Sequence, residues 1–206
     1  MPKYYPAIRP ESVIGARLYA DRYQMLKDLG IPRGAQIAEI GVAHGDFSDF
    51  LIREIDPSHF YALDRFDMET TPVHWGVPQE VMFKGKTHHD FYRDRFASLG
   101  DRMIMMRGLS TDTAPNLPDR ILDLIYIDAN HEYEMVSRDA AISTQKIKPD
   151  GVLVFNDYIL YDSSMGVEYG VVQAVNELVD SGAWRVAGFA LDRSMFCDIA
   201  IKQAQR

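Results

Sequence analysis

The feature that most constrains this fold is a run of three segments. A short apolar segment ends in glycine, a helix follows, and a second apolar segment ends in an acid. Residues 36–40 have the composition of a buried strand and stop at Gly41, and residues 46–55 repeat apolar side chains at helical spacing. Residues 60–63 form the second apolar run, and Asp64 ends it. Strand, glycine turn, helix and strand in this order are typical of one half of a parallel α/β sheet.

The rest of the chain continues this alternation. We expect further strands at 103–106, 122–127 and 152–155, and helices at 87–99, 133–147 and 167–181. The last two apolar runs, 184–191 and 194–201, are separated by only two residues, whereas a parallel connection needs about a dozen. The predicted fold is therefore a single-domain, Rossmann-like α/β fold with a seven-stranded, mostly parallel sheet and an antiparallel C-terminal edge hairpin.

One domain is expected to account for residues 1–206, because the chain shows no internal repeat and no linker rich in Pro, Gly or Ser. Residues 1–30 are predicted to form an N-terminal helical segment, since apolar side chains from Ala16 onward are three or four residues apart. Residues 66–86 are too long for a plain connection. They are candidates for a lid over an acceptor, with Trp75 as a contact, and an ordinary surface loop is the alternative.

Charge and cysteine content exclude several classes of function. Lys and Arg number 22 against 30 Asp and Glu, a net charge of −8, so nucleic acid is not an expected partner. Cys197 is the only cysteine, which excludes an internal disulfide and a cysteine-based zinc site within one chain. No apolar stretch reaches the roughly 18 residues of a membrane span, and the first residues do not resemble a signal peptide. We expect a cytoplasmic protein without a membrane partner; a homo-oligomer is compatible with the sequence.

The glycine turn after the first predicted strand is a candidate cofactor site. In open α/β sheets ligands bind at the carboxyl ends of the strands, and Asp64 at the next strand end can accept both hydroxyls of a ribose. A dinucleotide fingerprint would need glycine at Ala43 and Asp46, and Asp46 would repel a pyrophosphate. The pattern therefore disfavours NAD and favours an adenosine that carries a cationic sulfonium.

The pattern Glu39-x-Gly41-x-x-x-Gly45 followed by Asp64 resembles motifs one and two of the class I S-adenosylmethionine-dependent methyltransferases, over roughly residues 15–202. The resemblance implies S-adenosylmethionine as cofactor, with Glu39 and Gly41 at its methionine end, Asp64 on the ribose and Arg65 beside the adenine. Residues 108–112 resemble the adenine-side turn of catechol-type O-methyltransferases, which makes Ser110 a candidate contact. The candidate cofactor-binding residues are Glu39, Gly41, Val42, Ala43, His44, Gly45, Asp64, Arg65, Ser110, Thr111 and Asp128. A glycine turn in another kind of α/β protein is the alternative.

A second polar group follows the fourth and fifth predicted strands. Asp128 ends one of them and Asn156-Asp157 the next, so their oxygens should converge on one rim and could bind Mg²⁺. Coordination to Mg²⁺ would lower the pKa of an acceptor hydroxyl and align it with the methyl group. His131 has a suitable intrinsic pKa to remove the proton, so it is the candidate catalytic base. In the alternative, Asp128 binds the cofactor or caps a helix, His131 faces solvent, and Asn156-Asp157 form a turn.

The segments IDANHEYE and KPDGVLVFNDY resemble the metal-dependent O-methyltransferases that include macrolide-sugar enzymes of the mycinamicin and macrocin type. The resemblance implies a small hydroxylated acceptor, Mg²⁺ at Asp128, Asn156 and Asp157, and His131 as base. Asn156 departs from the acidic pair of that group, which removes a charge but keeps an oxygen ligand. Two rivals remain open. One is a metal-independent methyltransferase acting on nitrogen or another small-molecule centre, and the other is a catalytically silent S-adenosylmethionine-binding interaction module.

Overall fold

The computed structural model describes residues 5–204, which form twelve strands and seven α-helices. The strands are β1 (Arg17–Tyr19), β2 (Gln36–Ile40), β3 (His59–Asp64), β4 (Val73–His74), β5 (Val77–Pro78), β6 (Met103–Arg107), β7 (Leu122–Ile127), β8 (Ile147–Phe155), β9 (Tyr161–Asp162), β10 (Val167–Glu168), β11 (Trp184–Ala190) and β12 (Asp198–Gln203). The α-helices are α1 (Arg22–Asp28), α2 (Asp46–Ile55), α3 (Gln79–Met82), α4 (His88–Arg95), α5 (Ser110–Thr113), α6 (Tyr133–Lys146) and α7 (Val171–Asp180). Short 3₁₀ turns lie at Pro10–Val13, Met68–Thr70, Ala97–Arg102 and Ala114–Asn116.

Eight of these strands form the central sheet, in the order β1-β11-β12-β8-β7-β2-β3-β6. Among the described strands of this sheet only β12 runs antiparallel to its neighbours, β11 and β8. The chain builds β3 and β6 on one side of β2 and then returns to place β7 on the other side. This reversal opens a crevice at the carboxyl ends of β2 and β7, where ligands bind in open α/β sheets. The predicted Rossmann-like fold is confirmed.

The N-terminal segment differs from the predicted helix. Residues 17–19 are strand β1, which pairs in parallel with β11 and brings the sheet to eight strands instead of seven. The helix begins only at Arg22, where the side chain of Asp21 accepts a hydrogen bond from the main-chain N–H of Gln24. An N-cap of this kind satisfies one of the free N–H groups of the first turn. The helical spacing is therefore real, but it starts one and a half turns later than predicted.

Other element boundaries also differ: β8 starts at Ile147 instead of 152, and α4 ends at Arg95 instead of 99. The antiparallel C-terminal hairpin is confirmed, but β12 starts at Asp198 instead of 194, so its connecting loop is longer. Helix α7 begins at Val171, because residues 161–168 form the separate β9–β10 hairpin.

Apolar clusters cover both faces of the sheet and hold its rim in place. Helices α1, α2 and α4 cover one face and contribute side chains such as Met25, Leu51 and Tyr92 to its buried cluster. Helices α6 and α7 cover the other face, with Val136 and Val175 fully buried. Each such side chain contributes about 1.5–3 kcal/mol through burial. Among residues 5–204, none of the helices is long and apolar enough to cross a membrane.

Candidate active site

The loop between β2 and α2 passes so close to β7 that only glycine fits at position 41. Gly41 has φ +85°, and a Cβ atom there would lie 2.0 Å from the main-chain oxygen of Asp128. Gly45 also has a positive φ, and a Cβ atom would meet the ring of Phe96 at 2.8 Å. Ala43 between them adopts φ 43°, a left-handed conformation that is costly for alanine. The loop therefore presents its main chain directly to a ligand lying in the crevice.

Asp64 is held at the end of β3 by two main-chain groups. Its Oδ2 accepts a hydrogen bond of 2.9 Å from the N–H of Val42, and its Oδ1 accepts one of 2.7 Å from the N–H of Phe66. An ionised carboxylate has about four acceptor positions, so both oxygens can accept further hydrogen bonds. The side chain is thus fixed beside the glycine loop, where it can accept the paired hydroxyls of a ribose.

A cavity of about 470 Å³ opens along this rim. The predicted cofactor residues that line it are Gly41, Ala43, Asp64, Arg65, Ser110 and Asp128. His131, the predicted base, lines the same cavity, and Trp75 reaches it from the turn between β4 and β5. The structure therefore brings the candidate cofactor contacts and the candidate base into one site.

The other predicted cofactor residues, Glu39, Val42, His44, Gly45 and Thr111, do not line this cavity. Glu39 is buried, and its carboxyl group accepts a 2.5 Å hydrogen bond from Ser48. Burial raises the pKa of Glu39 well above its usual range. The carboxyl group of Glu39 thus faces Ser48 on α2, and its role at the methionine end stays a prediction. Nε2 of His44 lies 3.1 Å from the main-chain oxygen of Met82, outside the cavity wall.

The cavity contains a buried carboxylate that no sequence motif indicated. Asp139 on α6 is only 2% exposed and accepts a hydrogen bond from the hydroxyl of Ser110. Burial raises the pKa of Asp139 above its usual value. Met135, four residues earlier and therefore on the same face of α6, lines the same cavity. This four-residue spacing is the signal that could have identified both residues, once α6 was known to lie over the site.

His131 lies between two carboxylates at one end of the cavity, which we call the chemical end because it holds the candidate base. Its Nε2 is 3.4 Å from Oδ2 of Asp157 and 3.7 Å from Oδ1 of Asp128. Burial lowers the pKa of the imidazole, but the facing carboxylates outweigh this effect and raise the pKa of His131 above its ordinary value. Burial also raises the pKa of Asp157, to about 6, despite the neighbouring imidazole. Groups that titrate together near neutral pH are suited to acid–base chemistry.

The predicted magnesium ligands do not converge as a ligand set. Asn156 is buried, and its Nδ2 donates a 3.0 Å hydrogen bond to Oδ1 of Asp198. The imidazole of His131 lies between the other two candidates, Asp128 and Asp157. Among residues 5–204, no three or more His, Cys, Asp or Glu side chains are grouped so that they could hold a metal ion. This arrangement does not fit Mg²⁺, and the metal stays a prediction.

A buried polar network adjoins the chemical end. Arg22 donates a 2.9 Å hydrogen bond to the hydroxyl of Tyr126, which donates one of 2.7 Å to Oδ2 of Asp198. Burial raises the pKa of Asp198 to about 7. The antiparallel strand β12 starts at the rim where β8 ends, which brings Asp198 next to Asn156. The partners are far apart in the sequence, so no local pattern could have indicated this network.

Comparison with known proteins identifies the family. Residues 38–158, more than half of the chain, match the family described as "Methyltransferase domain", and the chain belongs to this family. The family and the order of the sheet define a class I S-adenosylmethionine-dependent methyltransferase. The general resemblance drawn from Glu39, Gly41, Gly45 and Asp64 is thereby confirmed. None of the curated proteins matches the chain.

Solved structures share the fold at low sequence identity. An S-adenosylmethionine-dependent methyltransferase from Aquifex aeolicus is 16% identical, with a TM-score of 0.58 over 94% of this chain and 93% of its own. A Podospora anserina methyltransferase with bound S-adenosylhomocysteine is 15% identical, with a TM-score of 0.53 over 83% of this chain and 72% of its own. A tRNA methyltransferase from B. subtilis is 13% identical, with a TM-score of 0.54 over 90% of this chain and 66% of its own. Because one fold is shared by methyltransferases as different as these, the acceptor has to be argued from the site.

Proposed function

We propose that this protein transfers the methyl group of S-adenosylmethionine to a hydroxyl group of a small molecule, with His131 as general base. The observation that carries the proposal is the position of His131, which lines the same cavity as Gly41 and Asp64 while its Nε2 faces two carboxylates. A base in that position can act on an acceptor that lies beside the cofactor.

The facing carboxylates define which nitrogen acts. They favour a proton on Nε2, which is buried without a hydrogen bond among the described residues and lies 3.4 Å from Asp157 and 3.7 Å from Asp128. With the proton on Nε2, Nδ1 is the nitrogen left to accept one. As the acceptor oxygen bonds to the methyl carbon, the carbon–sulfur bond breaks and its electron pair stays on sulfur. The hydroxyl proton passes to Nδ1, and the products are a methyl ether and S-adenosylhomocysteine.

The cofactor is proposed to lie along the glycine loop, with its ribose on Asp64 and its adenine toward Ser110 and Asp139. Carboxylates along the rim favour the cationic sulfonium. Residues 66–86 supply a cover, because Met68 and Trp75 line the cavity and Trp75 remains 77% exposed at a hairpin turn. The negative charge of the carboxylates along the rim disfavours a phosphate-bearing macromolecule as acceptor. It supports a small neutral molecule instead.

The direct test is transfer of radiolabelled methyl groups to a panel of catechols, phenols, hydroxylated sugars and amines. His131→Asn should lower turnover of the best acceptor by about 10²–10⁴-fold, the usual contribution of a general base. His59→Asn, which changes an exposed histidine on β3, is the matched control and should behave as wild type. Undiminished turnover by His131→Asn, or transfer to amines alone, would contradict the proposal. Binding of S-adenosylhomocysteine without transfer to any acceptor would favour an interaction module.

The same assay decides the metal. Because the side chains do not converge as magnesium ligands, we propose that His131 works without a cation and that turnover in EDTA equals turnover in MgCl₂. Loss of turnover in EDTA with recovery on addition of Mg²⁺ would restore the magnesium hypothesis. Asn156 would then have to leave Asp198 and turn toward the cavity.

A further inference from the structure

A flat aromatic contact fixes the ring of His131. Tyr169 stacks on the imidazole with ring centroids 4.6 Å apart and planes inclined by only 2°. Tyr169 is 8% exposed, so the stack is shielded from water. A parallel stack of this kind limits rotation of the imidazole about its side-chain bonds, which the contacts to Asp128 and Asp157 do not do by themselves, because neither is a hydrogen bond.

Tyr169 is itself held by the β9–β10 hairpin. Its hydroxyl donates a 3.2 Å hydrogen bond to Oδ2 of Asp162, a residue that is 3% exposed. The other oxygen of Asp162 accepts hydrogen bonds from the hydroxyl and N–H of Ser164 and from the N–H of Met165. With both oxygens engaged, Asp162 is a fixed anchor for the tyrosine ring.

The main chain next to the tyrosine is fastened to His131 as well. The N–H of Gly170 donates a 2.7 Å hydrogen bond to the main-chain oxygen of His131. A Cβ atom at Gly170 would lie 2.2 Å from the main-chain nitrogen of Tyr133, so only glycine allows this approach. The two residues that follow the hairpin therefore contact His131 twice, Gly170 at its main chain and Tyr169 at its ring.

We propose that Tyr169, anchored by Asp162, is a positioning residue that holds the imidazole of His131 in the orientation needed for proton transfer. The inference rests on the proposed role of His131 as base. It assigns a task to the β9–β10 hairpin, which holds Tyr169 through Asp162 although residues 161–168 do not line the cavity. Because a misplacement of about 1 Å can cost about 100-fold in rate, loss of the stack should act on turnover and not on cofactor binding.

The first test needs no acceptor. In protein with ¹³C-labelled histidine, the ring protons of His131, assigned by their loss in His131→Asn, should be shifted upfield by the overlying tyrosine. Tyr169→Phe keeps the ring and should keep the shift, whereas Tyr169→Leu should remove it. Tyr161→Leu changes an exposed tyrosine of the same hairpin and is the matched control. An unchanged His131 signal in Tyr169→Leu overturns the proposal.

The second test measures turnover with the best acceptor of the panel. Tyr169→Leu should lower kcat by about 10- to 100-fold while the KM for S-adenosylmethionine stays close to wild type. Tyr169→Phe should recover most of kcat, and Asp162→Asn should fall between the two. If His131→Asn is inactive and Tyr169→Leu has full kcat, the positioning role alone is overturned. If His131→Asn itself is fully active, the proposed base is wrong, whatever Tyr169 does.

Discussion

The cofactor end of the cavity is built from main chain, whereas the chemical end is built from side chains. At the cofactor end the main-chain N–H groups of Val42 and Phe66 donate hydrogen bonds to the carboxylate of Asp64 within a short stretch of sequence. At the chemical end His131 is placed by Tyr169 and Asp157, which come from later segments. Main-chain contacts tolerate most side-chain changes but not an added Cβ, whereas side-chain contacts depend on each residue's identity. The two ends should therefore respond differently to substitution.

The largest effect is expected at Gly41. Gly41→Ala should abolish S-adenosylhomocysteine binding and lower the Tm, because the added Cβ would lie 2.0 Å from the main chain of Asp128. Gly34→Ala is the control, since Gly34 has φ +78° but open space around it and should lose only the roughly 1–2 kcal/mol of a left-handed residue. Calorimetric titration and thermal melts measure both quantities. If Gly34→Ala lost as much binding affinity and as much Tm as Gly41→Ala, close packing would not define the cofactor end.

Asp64 should come next. Asp64→Asn should weaken S-adenosylhomocysteine binding by about 10- to 100-fold, because hydrogen bonds to a charged group contribute about 1.5–3 kcal/mol. It should also loosen the glycine loop, since an amide cannot accept from both Val42 and Phe66. Asp94→Asn, at an exposed carboxylate on α4, is the control for charge alone. Unweakened binding to Asp64→Asn in a titration calorimeter would remove Asp64 from the site.

Asp198 tests the chemical end through its pH dependence. Its pKa is about 7 in the fold against an ordinary 3.8, so the native state binds this proton more tightly than the unfolded chain. The stabilising contribution is complete below about pH 4 and is lost as pH rises toward 7, at no more than about 1.4 kcal/mol per pH unit. Urea unfolding from pH 4 to 8 should show this decline in wild type relative to Asp198→Asn. If the free energy of unfolding changed with pH in the same way in both proteins, Asp198 would not be the source of the decline.

The smallest effect is expected at Trp75, which belongs to neither end and covers the cavity. The chain has two tryptophans, and the other, Trp184, is only 5% exposed. S-adenosylhomocysteine should therefore change the fluorescence of Trp184→Phe but not that of Trp75→Phe. Loss of one aromatic contact worth about 0.5–1.5 kcal/mol should weaken binding by no more than about tenfold. Fluorescence of Trp184→Phe that does not respond to ligand would exclude Trp75 from the cover.

The cofactor end could be predicted from the sequence because the residues that form it lie close together in the chain. Gly41, Gly45 and Asp64 lie within one strand–helix–strand unit, and the connections of that unit place them at one rim. The strand ends Asp128 and Asp157 were predictable for the same reason. Glu39 shows the limit of such reasoning, since the pattern places it near the end of the first strand but does not reveal that its carboxyl group accepts a hydrogen bond from Ser48.

The sequence by itself determined the fold class, the rim and the position of His131 at that rim, because apolar periodicity and strand ends are properties of neighbouring residues. Only the tertiary structure decided that β1 joins the sheet edge, that Asn156 turns to Asp198, and that Tyr169 stacks on His131. These contacts join segments that are distant in the chain. Which side chains meet there depends on how the helices and hairpins pack over the sheet, and no local pattern encodes that packing.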